Sequence, residues 1–238
     1  MKTDENNKPK MEQNITACEQ RTPTPTPTMR VAARRIAGAA ALAVFVVLLI
    51  CVLTEHTAGF DDPVREFFYG LRAEWLTEIA IAITMMADKR IIIGICILLL
   101  IVPQTRIRFG VPLSAGALSV TIVNSTIKHL VQRARPDVLH LVIEHGHSFP
   151  SGHSMNGMFC YGMMIYLLWR NCENKLIRNL VTIFLCILIP LIALSRIYCG
   201  VHHPTDVIAG LSAGLAMLMV STVILDEIML LIDKKPTA

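Results

Sequence analysis

"IAGAAALAVFVVLLICVLT", Ile36 to Thr54, is a run of nineteen residues without a charge. As a helix it rises about 28 Å, close to the hydrocarbon thickness of a bilayer. The run therefore predicts a transmembrane helix, and the rest of the chain agrees with it. Of 238 residues, 53% are hydrophobic and only 17% charged, with a mean hydropathy of +0.54. A soluble domain of this length has too little interior to hide that much apolar surface. Arg30, Arg34 and Arg35 stand just before the run and favour a cytoplasmic N-terminus.

Working outward, five further spans are predicted, which makes the fold class an all-α polytopic membrane bundle of six transmembrane helices. Leu76 to Val102 is read as one long or broken span, interrupted by Asp88-Lys89-Arg90. Phe109 to Ile127, His153 to Trp169, Ile177 to Ile197 and Thr205 to Ile232 supply the others. Between the first two spans, "DPVREFFYGLRAEW" reads as an amphipathic helix lying in the interface. Six spans put both termini on the cytoplasmic side. With Lys128, Arg135 and Arg196 set aside, ten basic residues fall on that side and five on the other, a positive-inside bias.

Residues 1–30 are polar, carry the low-complexity stretch "RTPTPTPT", show no cleavable signal peptide and read as a disordered cytoplasmic tail. Residues 31–238 then form the membrane domain. The net charge of +4 is spread along the chain, which gives no nucleic-acid footprint. Seven cysteines, an odd number with no CxxC pair, give neither a disulfide framework nor a cysteine metal site.

Three polar outbreaks interrupt the apolar pattern, and all fall at span ends on the outer face. "KHLVQRARP" brings Lys128 and Arg135. "SFPSGHSMNG" opens a helix with Ser151 as a candidate N-cap, Gly152 where a backbone can approach a ligand, and His153. "SRIYCGVHHPTD" brings Arg196, His202 and Asp206, the last one helical turn beyond His202 and able to fix its tautomer. Taken singly, each is also what a snorkelling lysine, a plain helix cap or a charged interfacial loop would look like. Together they supply three cations, a helix start with outward N–H groups, and two histidines. Such a set suits a highly charged oxyanion, phosphate above all. Two histidines also supply a nucleophile and an acid, the division of labour that phosphoester cleavage requires.

With these motifs the chain resembles the type 2 phosphatidic acid phosphatase (PAP2) superfamily. That family's signature, K-x6-RP, PSGH and SR-x5-H-x3-D, is met in order and at the expected spacing between Lys128 and Asp206, and with its spans covers roughly Leu76 to Asp206. The resemblance implies an integral membrane lipid phosphatase with an extracytoplasmic active site. It makes His202 the nucleophile that forms a phosphohistidine, Asp206 its orienting partner, and His153 the acid that protonates the leaving oxygen. Lys128, Arg135 and Arg196, with Ser151 and the Gly152 N–H, would bind the phosphate. No metal and no cofactor is implied. His140, His145 and His147 have few acids near them and form no H-x-x-x-H pair, so no metal-ligand set is assigned to them; His203 has no assigned role.

The implied partner is a phosphorylated membrane lipid in the bilayer: undecaprenyl pyrophosphate, phosphatidylglycerophosphate or phosphatidic acid. Two other readings stay open. A phosphotransferase would use the same site, and a non-catalytic headgroup-binding protein would need the cations but not both histidines. Neither the physiological lipid nor the oligomeric state follows from the sequence. Gly210 and Gly214 form a GxxxG step that allows close helix packing, within the chain or between chains.

Overall fold

The computed structural model describes residues 27–233, so the expectation for the tail bears mostly on residues outside them. Two compact units divide between Ala33 and Arg34. Of the first, the described part is only the opening of helix α1.

All described secondary structure is helical. α1 runs Pro27–Leu53, so its first turn lies inside the stretch read as tail. α2, Ala58–Gly70, takes up most of the stretch expected to be amphipathic between the first two spans, but it starts four residues earlier and ends at Gly70, and Glu74-Trp75 open the next helix. Leu76 to Val102 resolves into two helices, α3 (Glu74–Met85) and α4 (Lys89–Ile101). Asp88 explains the break: its side chain accepts from the Arg90 N–H at 2.8 Å and caps α4. At twelve and thirteen residues, each helix rises only about 18–20 Å. Pro103–Thr105 and a π-helical turn, Arg106–Gly110, lead into α5, Val111–Val131. The remaining helices are α6 (Gly152–Asn171), α7 (Lys175–Tyr198) and α8 (Pro204–Asp233).

Four helical stretches among the described residues are long and apolar enough to cross a bilayer: Thr28–Leu53, Pro103–Val131, Lys175–Tyr198 and Pro204–Met229. Their outward faces carry apolar side chains such as Val47, Leu118, Phe184 and Ile224, as lipid-facing helices must. α6 is as long as a span, with twenty residues, but carries more polar ones. It can, because α5, α7 and α8 all pack against it. Met155, Phe159, Tyr161, Met163 and Leu167 on α6 are fully buried and form the middle of the core.

The GxxxG step explains how tightly α8 approaches α6. A Cβ on Gly210 would stand 2.6 Å from the Ser151 carbonyl oxygen, and one on Gly214 would stand 2.5 Å from that of Met155. The close packing is therefore internal to the chain, at the N-terminal end of α6. The helices share one arrangement relative to that end. α5 and α7 finish there, and α6 and α8 begin there. At their other end, Asp226 of α8 accepts from Arg34 of α1 (2.5 Å), from Tyr166 (2.5 Å) and from Arg170.

Candidate active site

The three polar outbreaks meet where α5 and α7 end and α6 and α8 begin. α6 starts there because Ser151, with extended backbone, caps it: its hydroxyl accepts from the Ser154 N–H (3.4 Å) and the Ser154 hydroxyl (2.9 Å). Ser151 itself is buried, and its N–H donates to the Asp206 carbonyl, tying α6 to α8. Gly152 and His153 follow in the first turn, where backbone N–H groups have no intrahelical acceptor.

α7 carries Arg196 in its last turn, 1% exposed. The turn into α8 needs Gly200: its φ is +76°, and a Cβ would collide with the Arg72 guanidinium and the Leu139 carbonyl. That turn delivers His202, also 1% exposed. Pro204 opens α8, and Asp206 in its first turn accepts from the His203 N–H at 2.9 Å.

Around His202 the distances are specific. Its Nδ1 stands 3.6 Å from Asp206 Oδ2, too long for a hydrogen bond yet facing it. Nδ1 has no hydrogen-bond partner among the described residues. Its Nε2 lies 3.5 Å from Arg135 Nη1. Burial pushes the imidazolium pKa down to about 3, helped by the field of Arg196 and Lys128 and opposed by Asp206. His202 is therefore neutral at ordinary pH, and its Nε2 faces Arg135.

The cations are held by the chain itself. Arg135 donates to the carbonyls of Val201 (2.7 Å), Gly146 (3.0 Å) and His145 (3.2 Å). Lys128 donates to the His147 carbonyl at 2.7 Å. Arg196 donates to the Thr84 hydroxyl at 2.6 Å and to Glu144, while its Nε has no acceptor among the described residues. The eight expected residues therefore gather at one end of the bundle. Arg135 reaches His202 directly, whereas Arg135, Arg196 and His153 meet through a carboxylate that the sequence did not single out.

That carboxylate is Glu144. It pairs with Arg196, stands 3.6 Å from Arg135 and 3.6 Å from His153 Nδ1. An anion thus already sits against two of the three cations and the expected acid. Burial works to raise the Glu144 carboxyl, but Arg196, His153 and Arg135 outweigh it and hold the group below the ordinary carboxylate value. Nothing in "VIEHGHS" marks Glu144, because only the fold of the 132–151 loop aims it inward.

Arg133 and Asp61 were also missed. Arg133 donates to Asp206 (2.6 Å), Thr205 (2.7 Å), Asp61 (2.7 Å) and Thr57 (2.8 Å). Asp61, on α2, is 1% exposed and accepts from the Thr205 N–H and hydroxyl as well. Arg133 occupies a variable position inside K-x6-RP, and Asp61 lies in a segment read only as interfacial. No group of three His, Cys, Asp or Glu side chains among the described residues is placed to hold a metal ion.

A family profile described as the PAP2 superfamily matches residues 109–229, about half of the chain. Phosphatidylglycerophosphatase B of Bacillus subtilis (strain 168) is 28% identical over 180 residues, 73% of this chain and 87% of that protein. Among solved structures, a transmembrane PAP2 type phosphatidylglycerolphosphate phosphatase from Bacillus subtilis superposes with a TM-score of 0.74 at 24% identity, covering 84% of this chain and 98% of that one. Aquifex aeolicus LpxE gives a TM-score of 0.57 at 22% identity, with coverage of 68% and 94%. The fold is thus that of a membrane phosphatase.

Proposed function

This chain belongs to the PAP2 superfamily, and we propose that it is a multi-pass membrane phosphatase that hydrolyses a phosphomonoester or pyrophosphate of a lipid through a phosphohistidine on His202. Phosphatidylglycerophosphate is the first candidate substrate, by similarity to the Bacillus subtilis relative. Lipid pyrophosphates such as undecaprenyl pyrophosphate, and phosphatidic acid, follow.

The observation that carries the reading is the position of Glu144. A carboxylate pairs with Arg196 and lies 3.6 Å from both Arg135 and His153, beside the buried His202. These groups accommodate an anion, and a phosphoryl group is one with three oxygens to share among Arg196, Arg135 and Lys128. The Gly152 N–H at the start of α6 adds a donor.

In the first step, Nε2 of neutral His202 attacks phosphorus. The N–P bond forms as the bond to the leaving oxygen breaks, and His153, protonated beside the negative charge of the bound phosphate, gives that oxygen its proton. Asp206, facing Nδ1, stabilises the positive ring that results. In the second step, His153 takes a proton from water, the water oxygen displaces the histidine, and inorganic phosphate leaves. Little covalent work falls to the protein; charge placement dominates.

Six crossings complete the reading. α1, α5, α7 and α8 cross outright, α6 crosses inside them, and α3 with α4 forms a broken sixth. Both termini are then cytoplasmic and the site faces outward, next to the leaflet that holds the lipid. The test is phosphate release in detergent with EDTA from phosphatidylglycerophosphate, phosphatidic acid and undecaprenyl pyrophosphate. Release from one of them, abolished in His202→Ala, is expected. Native-rate release by His202→Ala would remove the nucleophile, and labelled phosphate found on an acceptor instead of free would make the protein a phosphotransferase.

A further inference from the structure

Asp206 has to present one carboxylate oxygen to His202 Nδ1, yet a carboxylate on the first turn of a helix can rotate. Its other oxygen, Oδ1, is held at 2.6 Å by Arg133 Nη1. The same guanidinium is fixed on its second nitrogen by Asp61 Oδ2 at 2.7 Å and by the Thr57 hydroxyl at 2.8 Å. Asp61 in turn accepts from the Thr205 N–H (2.9 Å) and hydroxyl (2.8 Å), one residue before Asp206. Both carboxylates are buried, with 1% of the Asp61 side chain exposed and none of Asp206.

We propose that Arg133 and Asp61 are positioning residues for the nucleophile: Arg133 locks the rotation of Asp206, and Asp61 neutralises and orients Arg133. The inference rests on the reading of His202 as the nucleophile. Two arguments support a role beyond packing. First, the geometry is two-armed, since one planar guanidinium spans two carboxylates from different helices, which a lysine cannot reproduce. Second, the charges balance for the reaction. Asp206, Arg133 and Asp61 together carry one negative charge, which opposes the positive ring of a phosphohistidine. Without Asp61, Arg133 would cancel Asp206 entirely. The chain also ties α2, which lies outside the three motifs, to the chemistry.

The test compares Arg133→Lys, Asp61→Asn, Asp206→Asn, the double variant Arg133→Lys with Asp206→Asn, and His202→Ala. Each is measured in detergent for kcat, for the dissociation constant of inorganic phosphate and for Tm. Phosphate is gripped by the cations and not by the orientation of His202, so its affinity reports an intact cradle in folded protein. Arg133→Lys and Asp61→Asn are expected to lower kcat by about ten- to a hundredfold, the size of loss seen when metal-bound imidazoles lose the partners that orient them. Phosphate affinity should stay within about threefold of the parent, by the ordinary scatter of such comparisons. Because Arg133 acts through Asp206, adding Arg133→Lys to Asp206→Asn should cost little more. Three results overturn the inference: unchanged kcat in both single variants, an equal fold-loss from Arg133→Lys in both backgrounds, or a fall of Tm and phosphate affinity in step with kcat. A fully active His202→Ala would instead overturn the proposed function and leave these residues without a nucleophile to position.

Discussion

Replacing Glu144 with Gln tests whether the site is held, at rest, by an anion of the chain's own. The carboxylate pairs with Arg196 and stands 3.6 Å from Arg135 and from His153. Two unit charges at such a distance interact by about 4–5 kcal/mol at an effective dielectric of 20. Most of that is not recovered when an anion enters, because the carboxylate regains water as it leaves. What remains is the net worth of a charge-assisted hydrogen bond, about 1.5–3 kcal/mol. Gln keeps the length and an acceptor oxygen but carries no charge, so a phosphate no longer competes with it. The dissociation constants of inorganic phosphate and orthovanadate should fall by about ten- to a hundredfold, since 1.4 kcal/mol is a factor of ten. Isothermal titration on the detergent-purified protein at neutral pH reads this directly. The resting variant should also melt earlier, because Arg196, Arg135 and Lys128 lose their counter-charge, and added phosphate should raise its Tm more than it raises that of the parent. Unchanged or weaker anion binding in Glu144→Gln would instead make the carboxylate a support for the cradle and not a competitor for it.

Three further outcomes are expected. His202 is neutral in the folded chain down to about pH 3, while an unfolded histidine takes a proton near 6.5, so the unfolded state binds more protons between these values and stability falls as pH drops through that window; the loss of Tm between pH 7 and pH 4 should be shallower in His202→Ala, and equal slopes would count against the buried neutral ring. Gly210→Ala puts a Cβ 2.6 Å from the Ser151 carbonyl and should push the first turn of α6 away, costing about 1–3 kcal/mol in thermal unfolding and lowering kcat, because His153 moves with that turn. Asp226→Asn disturbs the contacts to Arg34, Tyr166 and Arg170 at the far end of the bundle, so Tm should drop while kcat per folded molecule stays within about twofold, as for a site remote from the chemistry.

Much of this molecule was legible in order of residues alone. Ile36 to Thr54 announces a bilayer because nineteen uncharged residues have no other stable home, and helix follows because a backbone in lipid must satisfy itself. The three motifs stand out as motifs, since Lys128, Arg135, His153, Arg196, His202 and Asp206 interrupt an apolar pattern, and the fold brings them to one end of the bundle. Other features depend on approach in space, which periodicity does not encode. The split of Leu76 to Val102 turns on Asp88 capping α4, and the sequence displays that aspartate without saying which helix it serves. α6 can carry polar residues because three helices cover it, a fact of packing.

Packing also separates charges that the sequence leaves alike. Asp61 and Asp62 are adjacent and chemically identical, yet Asp61 is buried against Arg133 and Thr205 while Asp62 is half-exposed beside Arg65. Glu144 looks like any acid in a polar loop until the 132–151 loop folds over the end of α7, where Leu141 N–H donates to the Cys199 carbonyl. Residue type and local spacing carry the apolar spans, the helical character and the three motifs, because each is local in the chain. Which remote carboxylates and guanidinium lie beside those motifs follows from packing, because a charge acts through distance and burial, and both are set by segments far apart in the chain.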